Sequence, residues 1–78
     1  MEADERLARI VSKLFKKNPA DITLDSDMDS IEGWDSLSHL NLIMTLEKEF
    51  KVQFHTDQII LLNSVGKIQQ ALQQKGVL

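Results

Sequence analysis

Asp35, Ser36 and His39 supply, within one short stretch, the side-chain types of a nucleophilic triad. Residues 36 and 39 on one helix would be neighbours. Hydrolysis also needs an oxyanion-stabilising element and a closed cleft, and neither is visible in a chain of 78 residues. Asp25, Asp27 and Asp29 alternate like the opening of a calcium-binding EF-hand loop. Counted from Asp25, the sixth position is Ser30 where that loop needs glycine, and the twelfth is Ser36 where it needs a bidentate Glu. The trio is read as a solvated acidic loop, and no metal site is expected. His55 has no carboxylate or His partner at ligand spacing, so both histidines are read as ordinary surface or boundary residues. What fits Ser36 is modification rather than catalysis. A hydroxyl in the first turn of a helix is open to an external enzyme, and a phosphate ester there would meet the free N–H groups and positive end of the helix. The residues alone reach only a modifiable serine, which as part of a helix cap needs no function.

The elements that position this serine follow from periodicity. Leu7, Ile10, Val11, Leu14 and Phe15 form the stripe of an amphipathic first helix. Asn18 before Pro19 predicts its end near Lys17. Residues 18–35 hold isolated apolar side chains at Ile22, Leu24, Met28, Ile31 and Trp34 without a sustained period, which predicts a long loop pinned to the core. Asp35 is the expected N-cap of the second helix, or Ser36 if the boundary lies one residue later. On that helix Leu37, Leu40, Leu42, Ile43, Met44, Leu46 and Phe50 span an arc of roughly 220° at about 100° per residue, wider than one core contact requires. Ser36 and Glu47 fall inside the same arc. The helix is either central to a bundle or buried on one side and used for docking on the other, and the exposed position of Ser36 favours the second for Leu37, Leu40 and Met44. Val52 and Phe54 anchor a short extended piece. Thr56 is the expected cap of a short third helix through Leu62, Asn63-Ser64 start a fourth carrying Val65, Ile68, Ala71 and Leu72, and Gly76 stops it. The expected fold is all-α: a small four-helix bundle of three longer helices and one short third helix, with a long loop between helices one and two, in one domain over 1–78.

Composition narrows the function classes. A chain this short buries one small core, so a deep private active site is not expected. No run of about 18 apolar residues spans a bilayer, and the charged N-terminus lacks an apolar signal core. With no cysteine, the reading is a soluble, cytoplasmic, monomeric protein. Residues 21–57 carry nine acids and two bases. That balance disfavours nucleic acid, whose phosphates need Lys and Arg, and favours a basic protein partner.

Gly33-Trp34-Asp35-Ser36-Leu37, followed by Leu42-Ile43-Met44 and Leu46-Glu47-Lys48-Glu49-Phe50, resembles the signature of acyl carrier proteins, and the order of elements resembles that family along nearly the whole chain. The resemblance implies that a phosphopantetheinyl transferase moves 4'-phosphopantetheine from coenzyme A to Ser36 with Mg²⁺. The arm's thiol then holds acyl groups as thioesters, and the chain catalyses nothing. It also implies that Asp35, Leu37, Leu40, Met44 and Glu47 meet partners: acyl-transferring or condensing enzymes with basic docking patches, in fatty-acid, lipid or polyketide-type biosynthesis. Ser38 and Asn41 depart from the acids that typical fatty-acid carriers have there. With Trp34, that departure points to a specialised member. An aminoacyl, D-alanyl-type carrier and a helical adaptor without a prosthetic group remain alternatives.

Overall fold

The computed structural model describes residues 3–78. Four helices follow in order, α1 (Glu5–Phe15), α2 (Ser36–Phe50), α3 (Thr56–Leu61) and α4 (Val65–Gln74), with one 3₁₀ turn over Pro19–Asp21. Among the described residues the only extended pairing is an isolated bridge between Asp27 and Ser64. The architecture is the expected all-α bundle with a short third helix. No helix among the described residues is long and apolar enough to cross a membrane.

Each long helix starts on a side-chain cap. The Asp4 carboxylate accepts from the N–H groups of Arg6 and Leu7 at 3.0 and 3.3 Å, Asp35 from Ser38, and Ser64 Oγ from Lys67 at 3.2 Å. Such oxygens satisfy donors that no earlier turn can reach. The α1 stripe ends at Lys16, which turns left-handed at φ 56°, and the following Lys17 N–H closes on the Ser12 carbonyl at 2.8 Å. Lys51 ends α2 in the same way, and Gly76 does so after α4 at φ +77°. At α3 the expectation differs from the outcome. Thr56 is the first helical residue, His55 takes the cap position, and no side chain caps the helix.

The core joins Leu7, Val11 and Phe15 of α1, Leu42, Ile43, Leu46 and Phe50 of α2, Val65, Ile68 and Leu72 of α4, and flanking Phe54 and Leu62. Ties at the rim accompany it. Gln69 of α4 accepts the Asp4 N–H at 2.6 Å, and the Arg6 guanidinium lies 4.5 Å from the centre of the Phe50 ring. The loop from 18 to 35 is pinned as its composition predicts, with Ile22, Ile31 and Trp34 buried and Leu24 and Met28 half-buried against the core. Backbone bonds fix its path as well. The carbonyls of Ser26 and Leu24 accept from Val65 and Gly66 at 2.8 and 3.0 Å, so the loop satisfies N–H groups that open α4.

That approach explains Gly66. A Cβ there would stand 2.9 Å from the Leu24 carbonyl oxygen. Alanine favours a helix over glycine by up to about 1 kcal/mol, but overpacking against backbone costs about 1–3 kcal/mol. Gly66→Ala is therefore expected to destabilise by about 1 kcal/mol net in denaturant titration. Leu46→Ala, at a fully buried site, is expected to cost about 2–5 kcal/mol.

Candidate functional site

The chain reaches the start of α2 through a reversal at Gly33, whose φ of +91° few other residues adopt without strain. The next residue, Trp34, is buried and lies stacked on Phe15 with ring centres 5.5 Å apart. Asp35 is extended, and its carboxylate accepts the Ser38 N–H at 2.8 Å. This backbone bond, helped by one from the Ser38 hydroxyl and only partly opposed by desolvation, holds the Asp35 carboxyl below the usual carboxylate range. Ser36 is the first helical residue and is exposed. One anchored aromatic before it and one cap that reaches forward to Ser38 thus fix the backbone that presents an open hydroxyl.

A covalently attached phosphate fits this position. Ser36 stands at the positive end of a 15-residue helix, where a negative charge is stabilised. No core side chain would have to move to admit it. A hydrolytic triad does not fit. His39 is buried with 6% exposure, its Nδ1 accepts from the Trp34 indole N–H at 3.0 Å, and its Nε2 lies 2.8 Å from the Ile59 carbonyl oxygen. Both ring nitrogens are engaged away from Ser36. The expectation that His39 is a surface or boundary residue is therefore corrected. The available signal was register, because His39 continues the row of Leu42, Ile43, Leu46 and Phe50. A second signal was that a buried Trp N–H seeks an acceptor.

The wide apolar arc divides as expected. Leu42, Ile43, Leu46 and Phe50 face the core, whereas Leu37, Leu40 and Met44 retain 72%, 50% and 64% exposure. Ile60 and Leu61 of α3 are also exposed, and sequence reasoning missed them because a short apolar run reads as core. Glu47 is half-buried, and its Oε2 accepts the Phe54 N–H at 2.9 Å, tying down the segment that leads to α3. Asp27 is occupied with its own turn, its Oδ1 accepting from Asp29 and Ser30 at 3.1 and 2.8 Å. Among the described residues no three His, Asp or Glu side chains gather to hold a metal ion.

Comparison with known proteins agrees with this geometry. A family model described as a phosphopantetheine attachment site matches residues 5–72. An acyl carrier protein of Azobacteroides pseudotrichonymphae is 33% identical over 66 residues, which cover 83% of this chain and 78% of that protein. Acyl carrier protein 2 of Pseudomonas aeruginosa is 36% identical over 56 residues, covering 72% and 71% respectively. The solution structure of a holo acyl carrier protein from Geobacter metallireducens matches with a TM-score of 0.79 at 31% identity, covering 90% of this chain and 80% of that one.

The Asp35 cap carries a pH signature. Because its carboxyl is held low in the folded state, the cap's contribution is present above the unfolded-state value and is lost as pH falls through the lowered folded-state value. Amide exchange at Ser38 is expected to slow less at acid pH than at neutral pH in the wild type. Asp35→Ala is expected to remove the neutral-pH protection, and Asp35→Asn to keep a cap that does not vary with pH.

Proposed function

The chain belongs to the acyl carrier protein family, a family of carriers and not catalysts whose covalent prosthetic group is 4'-phosphopantetheine, and from that premise we propose that Ser36 bears the arm. The observation that carries this reading is the exposed Ser36 at the first position of α2, directly after buried Trp34 and the Asp35 cap. When bound, the group supplies a thiol that holds an acyl chain as a thioester. The chain's own residues do the rest. Ser36 Oγ accepts the phosphopantetheinyl group from coenzyme A, forming an O–P bond as the nucleotide portion leaves. Its proton passes to the visiting transferase, whose Mg²⁺ offsets the phosphate charge. Asp35 fixes the first turn so that the hydroxyl is presented in one geometry.

Leu37, Leu40 and Met44 form the surface that visiting enzymes recognise, with Asp35 at its upper end and Glu47 at its margin. Exposed apolar side chains on a rigid helix are suited to the desolvated centre of a contact. With Ser38 and Asn41 uncharged on the same helix, fewer rim charges steer the encounter. This supports service to specialised acyl-handling enzymes rather than the housekeeping set, in fatty-acid, lipid or polyketide-type biosynthesis. The protein acts in the cytoplasm as a monomer, with 1–78 as one unit.

Incubating the chain with coenzyme A, Mg²⁺ and a broad-specificity phosphopantetheinyl transferase is expected to add the mass of one phosphopantetheine. Ser36→Ala should abolish the gain. No gain in the wild type, or a gain that survives Ser36→Ala, would overturn the assignment and favour an adaptor without a prosthetic group. Leu40→Ala and Met44→Ala are expected to leave the fold intact and to raise the KM of an acyl-handling partner by about tenfold, the scale of a contact residue that costs just over 1 kcal/mol.

A further inference from the structure

The function proposed above uses neither ring nitrogen of His39, yet both are bound. Trp34 Nε1 can only donate, so His39 Nδ1 must accept from it. The Ile59 carbonyl can only accept, so His39 Nε2 must carry the proton and donate to it. The polarity of the chain of bonds is fixed, from indole N–H through a neutral imidazole to a carbonyl. Its stacking supports the same arrangement, with the Trp34 and His39 ring centres 6.0 Å apart at an interplanar angle of 23°.

The far end of this chain of bonds is the weakest helix. α3 has six residues, no side-chain cap and no fully buried residue, and an isolated helix of that length does not hold together in water. Phe54 and Leu62 bury on either side of it. Within it, the Ile59 carbonyl takes both the Leu62 N–H at 3.2 Å and the His39 N–H. Ile59 immediately precedes the exposed pair Ile60 and Leu61. His39 stands one residue from Leu40 and three from Ser36, and Trp34 stands two residues before Ser36.

We propose that Trp34, His39 and the Ile59 carbonyl form a polar strut that locks α3 against the first turn of α2, making His39 a positioning residue for transfer reactions at Ser36. The second half rests on the assignment of Ser36 made above; the strut does not. The strut sets where Ile60 and Leu61 stand relative to Leu37, Leu40 and the serine, so an enzyme that visits Ser36 meets one composite surface from two helices. A second consequence is that α3 opens as a unit when the His39 bond is lost, while α1 and α4 keep their own caps and core.

Three variants of the full chain separate donor, acceptor and volume. His39→Gln places an amide N–H near the Nε2 position, His39→Asn places an acceptor near the Nδ1 position with no donor reaching α3, and His39→Leu fills the space with neither. Amide exchange of α3 and Leu62, normalised to the core amides of α1 and α4, is expected to stay near wild type in His39→Gln. It should speed up about three- to tenfold in His39→Asn and His39→Leu, the range for one buried neutral hydrogen bond. Imidazole ¹⁵N shifts of the wild type should report the Nε2–H tautomer. In phosphopantetheinyl transfer, the KM for the chain is expected to rise by a similar factor in His39→Asn and His39→Leu, with kcat held and His39→Gln near wild type. Protection of α3 in His39→Leu equal to that in His39→Gln, or an Nδ1–H tautomer, would overturn the strut. An unchanged KM across the three variants would overturn the positioning role. A wild-type chain that accepts no phosphopantetheine would overturn the reading of Ser36, and the exchange pattern alone would then decide the strut.

Discussion

Leu42, Ile43, Leu46 and Phe50 must be buried together, because a chain of 78 residues has little other apolar surface with which to hold α1 and α4 in place. Everything else is arranged around that burial. Once this row faces inward, the remaining apolar residues of α2, at Leu37, Leu40 and Met44, are turned toward solvent by helical geometry alone. Among the described residues the bundle leaves each of them at least half exposed. A small domain that exposes such residues forgoes the stability their burial would bring.

The same constraint decides how the serine is presented. A helix start buried in the bundle would hide its hydroxyl, and a frayed one would leave it without a fixed geometry. Here Trp34 is sunk into the core while Asp35 satisfies the first turn from outside. Only one residue, Asp35, separates a fully anchored ring from an exposed hydroxyl. The loop that delivers them is long but not slack, because its carbonyls are spent on the opening N–H groups of α4 and its apolar side chains on the core. Asp27 uses its carboxylate on its own turn, so this one acid of the loop serves backbone order in the folded chain.

Much of this was legible in order along the chain. The α1 stripe, the Asp35 and Ser64 caps, the stop at Gly76 and the loop pinned by Ile22, Ile31 and Trp34 all depend on interactions within a few residues or on simple amphipathic pattern, which sequence records directly. Less legible were the features that depend on a distant partner. Glu47 fits a surface role by its place on the helix, yet its oxygen reaches the Phe54 backbone. Gly66 carries no local signal, because the need for it comes from a carbonyl of the loop at Leu24. The missing side-chain cap on α3 falls in the same group, since tertiary bonds rather than local ones hold that helix.

The sequence by itself determined that four helices form, that α2 has more apolar surface than one contact can bury, and that it begins at Asp35 or Ser36. These are consequences of short-range hydrogen bonding and of a 3.6-residue period. Only the tertiary structure decided that both ring nitrogens of His39 find partners, that the Glu47 carboxylate reaches the Phe54 backbone, and that Ile60 and Leu61 of α3 face solvent. A histidine with both nitrogens satisfied differs from an exposed one only through its neighbours, and the neighbours are an indole on the preceding loop and a carbonyl twenty residues away. Burial without those partners would be costly. Helical register places residue 39 on the buried row, and only folding brings to it the partners that both nitrogens need.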